Sequence, residues 1–109
     1  MQTDQRILLV GTPSERLSRL CCIFEFLGEQ IEIIAIEKLS ACLQDTRYRA
    51  LVISTETVSV DELKSLASQY PWQPILSFGN VGELQVANIL GQIEEPLNYP
   101  QLTELLHFC

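Results

Sequence analysis

Short apolar runs alternate along the chain with amphipathic stretches. Ile7-Leu8-Leu9-Val10 is continuously apolar, the pattern of a strand buried on both faces. Thr12-Pro13-Ser14-Glu15 then predicts a helix start, with Thr12 as the cap, Pro13 in the first helical position and Glu15 completing a capping box. Leu17, Leu20, Cys21, Phe24 and Leu27 recur at helical spacing, and Gly28 is placed to end that helix. Ile31, Ile33, Ile34 and Ile36 predict a second, β-branched strand. A short helix over 39–43 follows, and Ala50-Leu51-Val52-Ile53 is a third buried strand.

The second half repeats the alternation. Ser59-Val60-Asp61-Glu62 is another capping box, opening a helix with Val60, Leu63, Leu66, Ala67 and Tyr70 on one side, and Pro71 stops it. Pro74 to Phe78 predicts a fourth strand, and Gly79-Asn80 a turn. The stretch 81–88 predicts a short helix or an irregular turn, because Gly82 and Asn88 both lower helix propensity. Ile89 to Ile93 is a fifth strand, and Asn98-Tyr99-Pro100 opens a last helix carrying Leu102, Leu105 and Leu106. Strands alternating with helices predict an α/β domain: a three-layer sandwich around a five-stranded parallel sheet, with right-handed crossovers and a shortened fourth helix.

Charge narrows the partners. Acids outnumber bases 14 to 7, for a formal net charge of -7, and no basic cluster occurs. A domain that grips nucleic acid needs Lys and Arg to displace counterions, and an anionic membrane asks for the same, so both partners are disfavoured. No apolar run approaches the roughly 18 residues of a membrane span. The segment Met1 to Arg6 lacks the basic start of a signal peptide, which places the chain in the cytoplasm. At 109 residues the chain is one domain with one core. It stops on Leu105-Leu106-His107-Phe108-Cys109, an apolar helical turn with no cap, and the expectation is that a parent protein continues beyond it.

Candidate chemistry is sparse. Cys21, Cys22, Cys42 and Cys109 show no metal-ligand spacing and read as buried, reduced thiols. His107 is the only histidine, with no visible nucleophile or orienting partner, so it reads as a solvated side chain. Glu15, Glu56 and Glu95 converge toward one end of the expected sheet. They read as a solvated rim in preference to a divalent-cation site. Trp72, between Pro71 and Pro74, fits a partner anchor and a lid over the core equally well. No catalytic residue, metal or cofactor is expected. A flavodoxin-like enzyme would need a phosphate loop, and Gly11-Thr12-Pro13-Ser14 is a poor one because Pro13 removes an N–H donor.

The five β/α units, Ile7-Leu8-Leu9-Val10, Leu51-Val52-Ile53 and Glu95-Pro96 before the last helix resemble the response-regulator receiver, a CheY-like, flavodoxin-like fold. The resemblance implies a phosphorylation pocket at the carboxyl ends of the strands, and every part of it is missing here. The Mg²⁺-binding acidic pair falls at Gly11 and Thr12, and the phosphoryl acceptor at Thr55. The Ser/Thr switch falls at Gly79, with Ser77 two residues early, and the aromatic switch near Gln92. The charge-neutralising Lys falls at Glu95, a reversal of sign.

A narrower resemblance rests on Gln5-Arg6-Ile7-Leu8-Leu9-Val10, Phe24-Glu25-Phe26-Leu27-Gly28-Glu29 and Pro96-Leu97-Asn98-Tyr99-Pro100-Gln101-Leu102. These resemble the N-terminal domain of FleQ/FlrA-type flagellar master regulators. That implies a sigma-54-activating AAA+ ATPase and a helix-turn-helix domain downstream in the parent, through which ATP, cyclic di-GMP and DNA would be bound. For this chain it implies a non-phosphorylated regulatory domain acting by contact with the AAA+ domain and with a second copy of itself. The nearly uncharged segment 81–93 supplies the candidate dimer surface: Val81, Leu84, Val86 and Leu90. The competing reading is a small-molecule sensor using the crevice at the strands' carboxyl ends.

Overall fold

The computed structural model describes residues 2–82, 85–107 and 109. Among them, five strands form one sheet: β1 (Gln2–Val10), β2 (Ile31–Ile34), β3 (Thr46–Ser54), β4 (Ile75–Phe78) and β5 (Ile89–Ile93). The spatial order is β2-β1-β3-β4-β5, and every neighbouring pair is parallel. The helices are α1 (Glu15–Phe26), α2 (Leu39–Cys42), α3 (Val60–Gln69) and α4 (Tyr99–His107).

Strand alternation divides the core into two layers. Ile7, Leu9, Ala50 and Val52 face α1 and α4, where they meet Leu17, Leu20, Phe24, Leu102 and Leu106. Leu8, Val10, Leu51 and Ile53 face the other way, onto Leu39, Leu43, Leu63 and Ala67 of the α2–α3 layer. Both sides of the central strands are buried, which is why they read as unbroken apolar runs. Phe24 is fully buried, and truncating such a side chain to alanine costs about 3–5 kcal/mol.

The start of α1 differs from the expected one. Ser14, not Thr12, is the cap: its extended backbone (φ -152°, ψ 169°) turns its Oγ to accept from Leu17 N at 3.3 Å. Pro13 therefore lies before the cap and Glu15 becomes the first helical residue. Two hydroxyl residues flank Pro13, and the one after it lies three residues from a free helical N–H. The far end follows expectation. Gly28 takes φ +87° and donates to Glu25 O, while Glu29 N donates to Phe24 O, the paired bonds of a Schellman motif. At α3, Ser59 caps Glu62 N as the sequence predicts.

β1 begins five residues before its apolar run. Gln2, Thr3 and Asp4 pair with Thr46, Arg47 and Tyr48, and the register shifts between Asp4 and Ile7. The extension is held by polar bonds: Asp4 accepts from the Arg6 backbone at 2.9 Å and from its guanidinium, which also lies 5.8 Å from the Tyr48 ring centroid. β2 ends earlier than expected, at Ile34, and Ile36 instead opens a 3-10 turn, Ile36–Lys38, leading into α2.

The shortened fourth helix is not found among the described residues of 81–88, which are irregular. Gly82 sits at φ +72°, outside helical space. Side chains hold this connection in place of helical bonds. Gln92 accepts from Val81 N at 3.1 Å and donates to Gly82 O. Asn88 Nδ2 lies within 3.0–3.1 Å of the carbonyls of Ala67, Tyr70 and Gln73, tying the entry to β5 to the end of α3. Gln73 is itself fully buried, its Oε1 accepting from Tyr48 N at 2.8 Å and its Nε2 donating to Tyr48 O at 2.9 Å.

Candidate functional site

In an open parallel sheet, ligands gather outside the carboxyl ends of the strands, where the strand order reverses. Here the reversal lies between β1 and β3. Gly11 follows β1, Thr55 follows β3, Gly79 follows β4 and Glu95 lies two residues past β5, so the fold brings these residues to one end of the sheet. Each is occupied in a local contact.

Gly11 is buried, and a side chain there would be tightly packed. A Cβ there would lie 3.1 Å from Ser54 Cβ and 3.2 Å from both Leu17 Cδ1 and Thr57 Oγ1. Thr12 is exposed, and its backbone N–H donates to Thr57 Oγ1 at 3.2 Å. Thr55 folds back across the sheet: its N–H and its Oγ1 both donate to Phe78 O, each at 3.1 Å. Gly79, at φ +128°, lies so close beneath it that a Cβ would come within 2.1 Å of Thr55 Oγ1. Ser77 is buried and donates to Gly79 O at 3.1 Å. Thr55 and Gly79 thus pack against each other past the ends of β3 and β4.

Arg16 lies across the carboxyl ends of the strands. From the first turn of α1 the guanidinium donates through Nε to Glu95 Oε1 at 2.6 Å, pairs through Nη1 with Glu56 Oε1, and stacks 4.5 Å from the centroid of the buried Phe78 ring. Burial works against its charge, but the bonds to Glu95 and Glu56 outweigh it and raise its pKa above the ordinary value. The expected convergence of three glutamates is corrected in two respects. Glu56 and Glu95 meet around a cation supplied by the chain itself, and Glu15 turns away to Arg19 at 3.4 Å. Arg16 carried a readable signal, as the lone cation in the first turn of the helix that borders the crevice, opposite an aromatic strand end. The peptide between Glu95 and Pro96 is cis.

Comparison with known proteins fits this geometry. The family model of the flagellar regulatory protein FleQ matches residues 6–109. The chain belongs to the FleQ family. Solved structures show the receiver fold around it. A CheY-like response-regulator receiver protein from Methanospirillum hungatei superposes with a TM-score of 0.70 at 19% identity, over 96% of this chain and 92% of that one. A chemotaxis response regulator of Vibrio cholerae gives 0.69 at 17% identity, over 96% and 98%. The receiver domain of a sensor histidine kinase from Pseudomonas aeruginosa, solved with a magnesium ion coordinated in its active-site cleft, gives 0.70 at 19% identity, over 96% of both chains. No curated protein matches the chain. Membership of the FleQ family makes this a receiver-like regulatory domain.

The remaining candidates are scattered over the FleQ-family fold. Val81 and Val86 are half-buried against the α2–α3 layer, whereas Leu90 packs toward α1 and α4, and Leu84 lies outside the described residues. Among the described residues no group of three or more His, Cys, Asp or Glu side chains could hold a metal ion, and no helix is long and apolar enough to cross a membrane. The cysteines are free thiols as read, but not buried: Cys22 is exposed and the other three are half-exposed. Cys22 lies on the outer face of α1, and the C-terminal Cys109 covers only part of the core edge. Burial and a hydrogen bond to Glu25 push the Cys21 thiol up to about 11. Trp72 is half-buried over the α2–α3 layer, its ring edge-on to Tyr70 at 5.8 Å. His107 is exposed.

Proposed function

We propose that the chain is a non-phosphorylated regulatory and dimerisation domain of a sigma-54-dependent flagellar transcription activator in the cytoplasm, working by protein–protein contact. The observation that carries this reading is the Arg16–Glu56–Glu95 cluster. A phosphorylated receiver pocket gathers cations around an added anion. Here one internal cation is already neutralised by two internal carboxylates, and α1, the β3–α3 loop and the β5–α4 loop are tied together without a ligand. Gly11, Thr12, Thr55, Gly79 and Glu95 stand, on this reading, where the metal ligands, acceptor, switch and lysine of an active receiver would be.

The partners on this reading are a second copy of the domain and an AAA+ domain of the parent, with ATP, cyclic di-GMP and DNA bound by parent domains outside these residues. The small-molecule sensor is the weaker alternative, because Arg16 and Thr55 at that crevice are already bonded to other groups of the chain. Sedimentation across micromolar concentrations tests the reading. The expected result is a concentration-dependent dimer that a charge at Leu84 or Leu90 dissociates without unfolding. A strict monomer at all concentrations contradicts the dimerisation claim.

A further inference from the structure

Side chains guard the open margins of the sheet at one end and one edge. β3 begins before β4, and there Gln73 takes the place of a strand: its amide accepts from Tyr48 N at 2.8 Å and donates to Tyr48 O at 2.9 Å. On β1, below the start of β2, Asp4 accepts from Arg6 N at 2.9 Å. β2, an edge strand, carries the exposed Glu32, ion-paired with Arg6. Charges and side-chain bonds of this kind keep an edge from pairing with another chain. The opposite edge, β5, has neither. Asn88 O accepts from Ile75 N and Ile93 O from Gly79 N, so by alternation the N–H and C=O of Gln92 point away from β4. Among the described residues no group bonds to them. The segment 84–93 contains no ionisable side chain. The described residues of 81–88 are irregular, and an open groove of about 330 Å³, lined by Val81, Gln85, Ile89 and Leu90, runs beside the strand where a helix would flank it.

We propose that β5 pairs edge to edge with β5 of a second copy, antiparallel across a two-fold axis, so that two sheets join into one. The inference rests on the reading of the chain as a dimerisation domain and names the contact. Backbone chemistry calls for an extended occupant, because the free groups are a row of donors and acceptors. A second copy supplies one of matching length: about a two-fold axis, each edge presents to the other the same donors and acceptors. Charge permits this joint. Glu94 and Glu95 follow β5, and in an antiparallel pair those of the two copies lie at opposite ends, each against the uncharged start of the other strand. A joint between two β2 edges would instead bring Glu32 of both copies together. The five residues of β5 make a joint about 17 Å long, at roughly 3.4 Å per residue, which is small for a stable interface. The dimer is therefore weak and forms as concentration rises.

The test mixes isotope-labelled and unlabelled copies of the chain and reads intermolecular NOEs, with sedimentation on the same stock. The expected result is a set of intermolecular NOEs between 89–93 of one copy and 89–93 of the other. Exchange of the Gln92 amide with solvent should also slow as concentration rises, while exposed amides of α1 and α3 exchange unchanged. Leu90→Lys places on this edge the kind of charge that guards β2. It should raise the dimer dissociation constant about tenfold or more, with the fold retained by circular dichroism. Val60→Lys, at an exposed site on α3, should leave the constant unchanged. If Leu90→Lys fails to fold, the NOEs of the unaltered chain decide alone. Intermolecular NOEs that map to α1, α4 or the Trp72 side overturn the β5 joint and leave dimerisation standing. So does a dimer whose Gln92 amide exchanges as fast as in the monomer. A strict monomer overturns dimerisation itself and the joint with it, so the two failures are distinguishable.

Discussion

Arg16 Nε donates to Glu95 Oε1 at 2.6 Å, tying the first turn of α1 to the loop after β5. The same guanidinium spans Glu56 and the Phe78 ring, so one side chain joins α1 to three other segments. Arg16→Ala is expected to lower unfolding free energy by about 1–2 kcal/mol, the sum expected of a partly exposed ion pair and a cation–π contact. Arg16→Lys should recover less than half of it, because an ammonium cannot serve two carboxylates and a ring face in fixed geometry. Urea denaturation of the three proteins at low and high salt measures it, and the gap between parent and Arg16→Ala should narrow in salt.

Gly79 and Thr55 give a second prediction. Gly79→Ala places a Cβ within 2.1 Å of Thr55 Oγ1 at a φ of +128°. The expected loss is about 1–3 kcal/mol. Adding Thr55→Ala removes the clashing oxygen but not the backbone strain, so rescue in the double variant should be partial. Thermal unfolding of the single and double variants checks it.

Capping separates two neighbouring hydroxyls. Ser14→Ala is expected to cost about 0.5–2 kcal/mol. Thr12→Ala should be nearly neutral, since Thr12 is exposed and the bond to Thr57 uses its backbone N–H. Equal losses at the two positions would contradict the assignment of the cap to Ser14.

A fourth prediction concerns acid. Side-chain and backbone hydrogen bonds from Arg6 hold the Asp4 carboxyl below its ordinary range. Its contribution to stability is therefore fully present above the unfolded value of about 3.9 and is lost as pH falls through the lower folded value. Asp4→Asn should lower stability at neutral pH and flatten the fall below about pH 4. Guanidinium titrations across that range measure both effects.

Much of the architecture was legible because burial on both faces writes itself plainly. Ile7 to Val10 and Ala50 to Ile53 lie in the strands they predict, and Gly28 ends α1 as its position implies. The polar ends were not legible. Asp4 and Thr46 belong to strands through backbone pairing and the Arg6 network, for which periodicity carries no signal. Thr12 was expected to cap α1, and the other hydroxyl beside Pro13, Ser14, does so instead. At the site, Gly11, Thr55, Gly79 and Glu95 lie past the strand ends where the apolar runs put them. The Arg16 cluster was legible only as a lone cation in the first turn of α1; its partner was not, because Arg16 meets Glu95 across 79 positions of sequence. The irregular passage before β5 depends likewise on Gln92 and Asn88, whose partners lie on other elements.

The central claim is that this domain works without phosphoryl chemistry. Incubation of the parent chain and of Thr55→Asp with acetyl phosphate and Mg²⁺, under conditions that label an intact receiver, followed by intact-mass spectrometry, tests it most directly. Neither protein is expected to gain a phosphoryl group. On the proposed reading Thr55→Asp supplies the acceptor, but Gly11 and Thr12 offer no carboxylate for the metal and Glu95 brings a negative charge where a cation is needed. Stoichiometric phosphorylation of the parent chain would contradict the account.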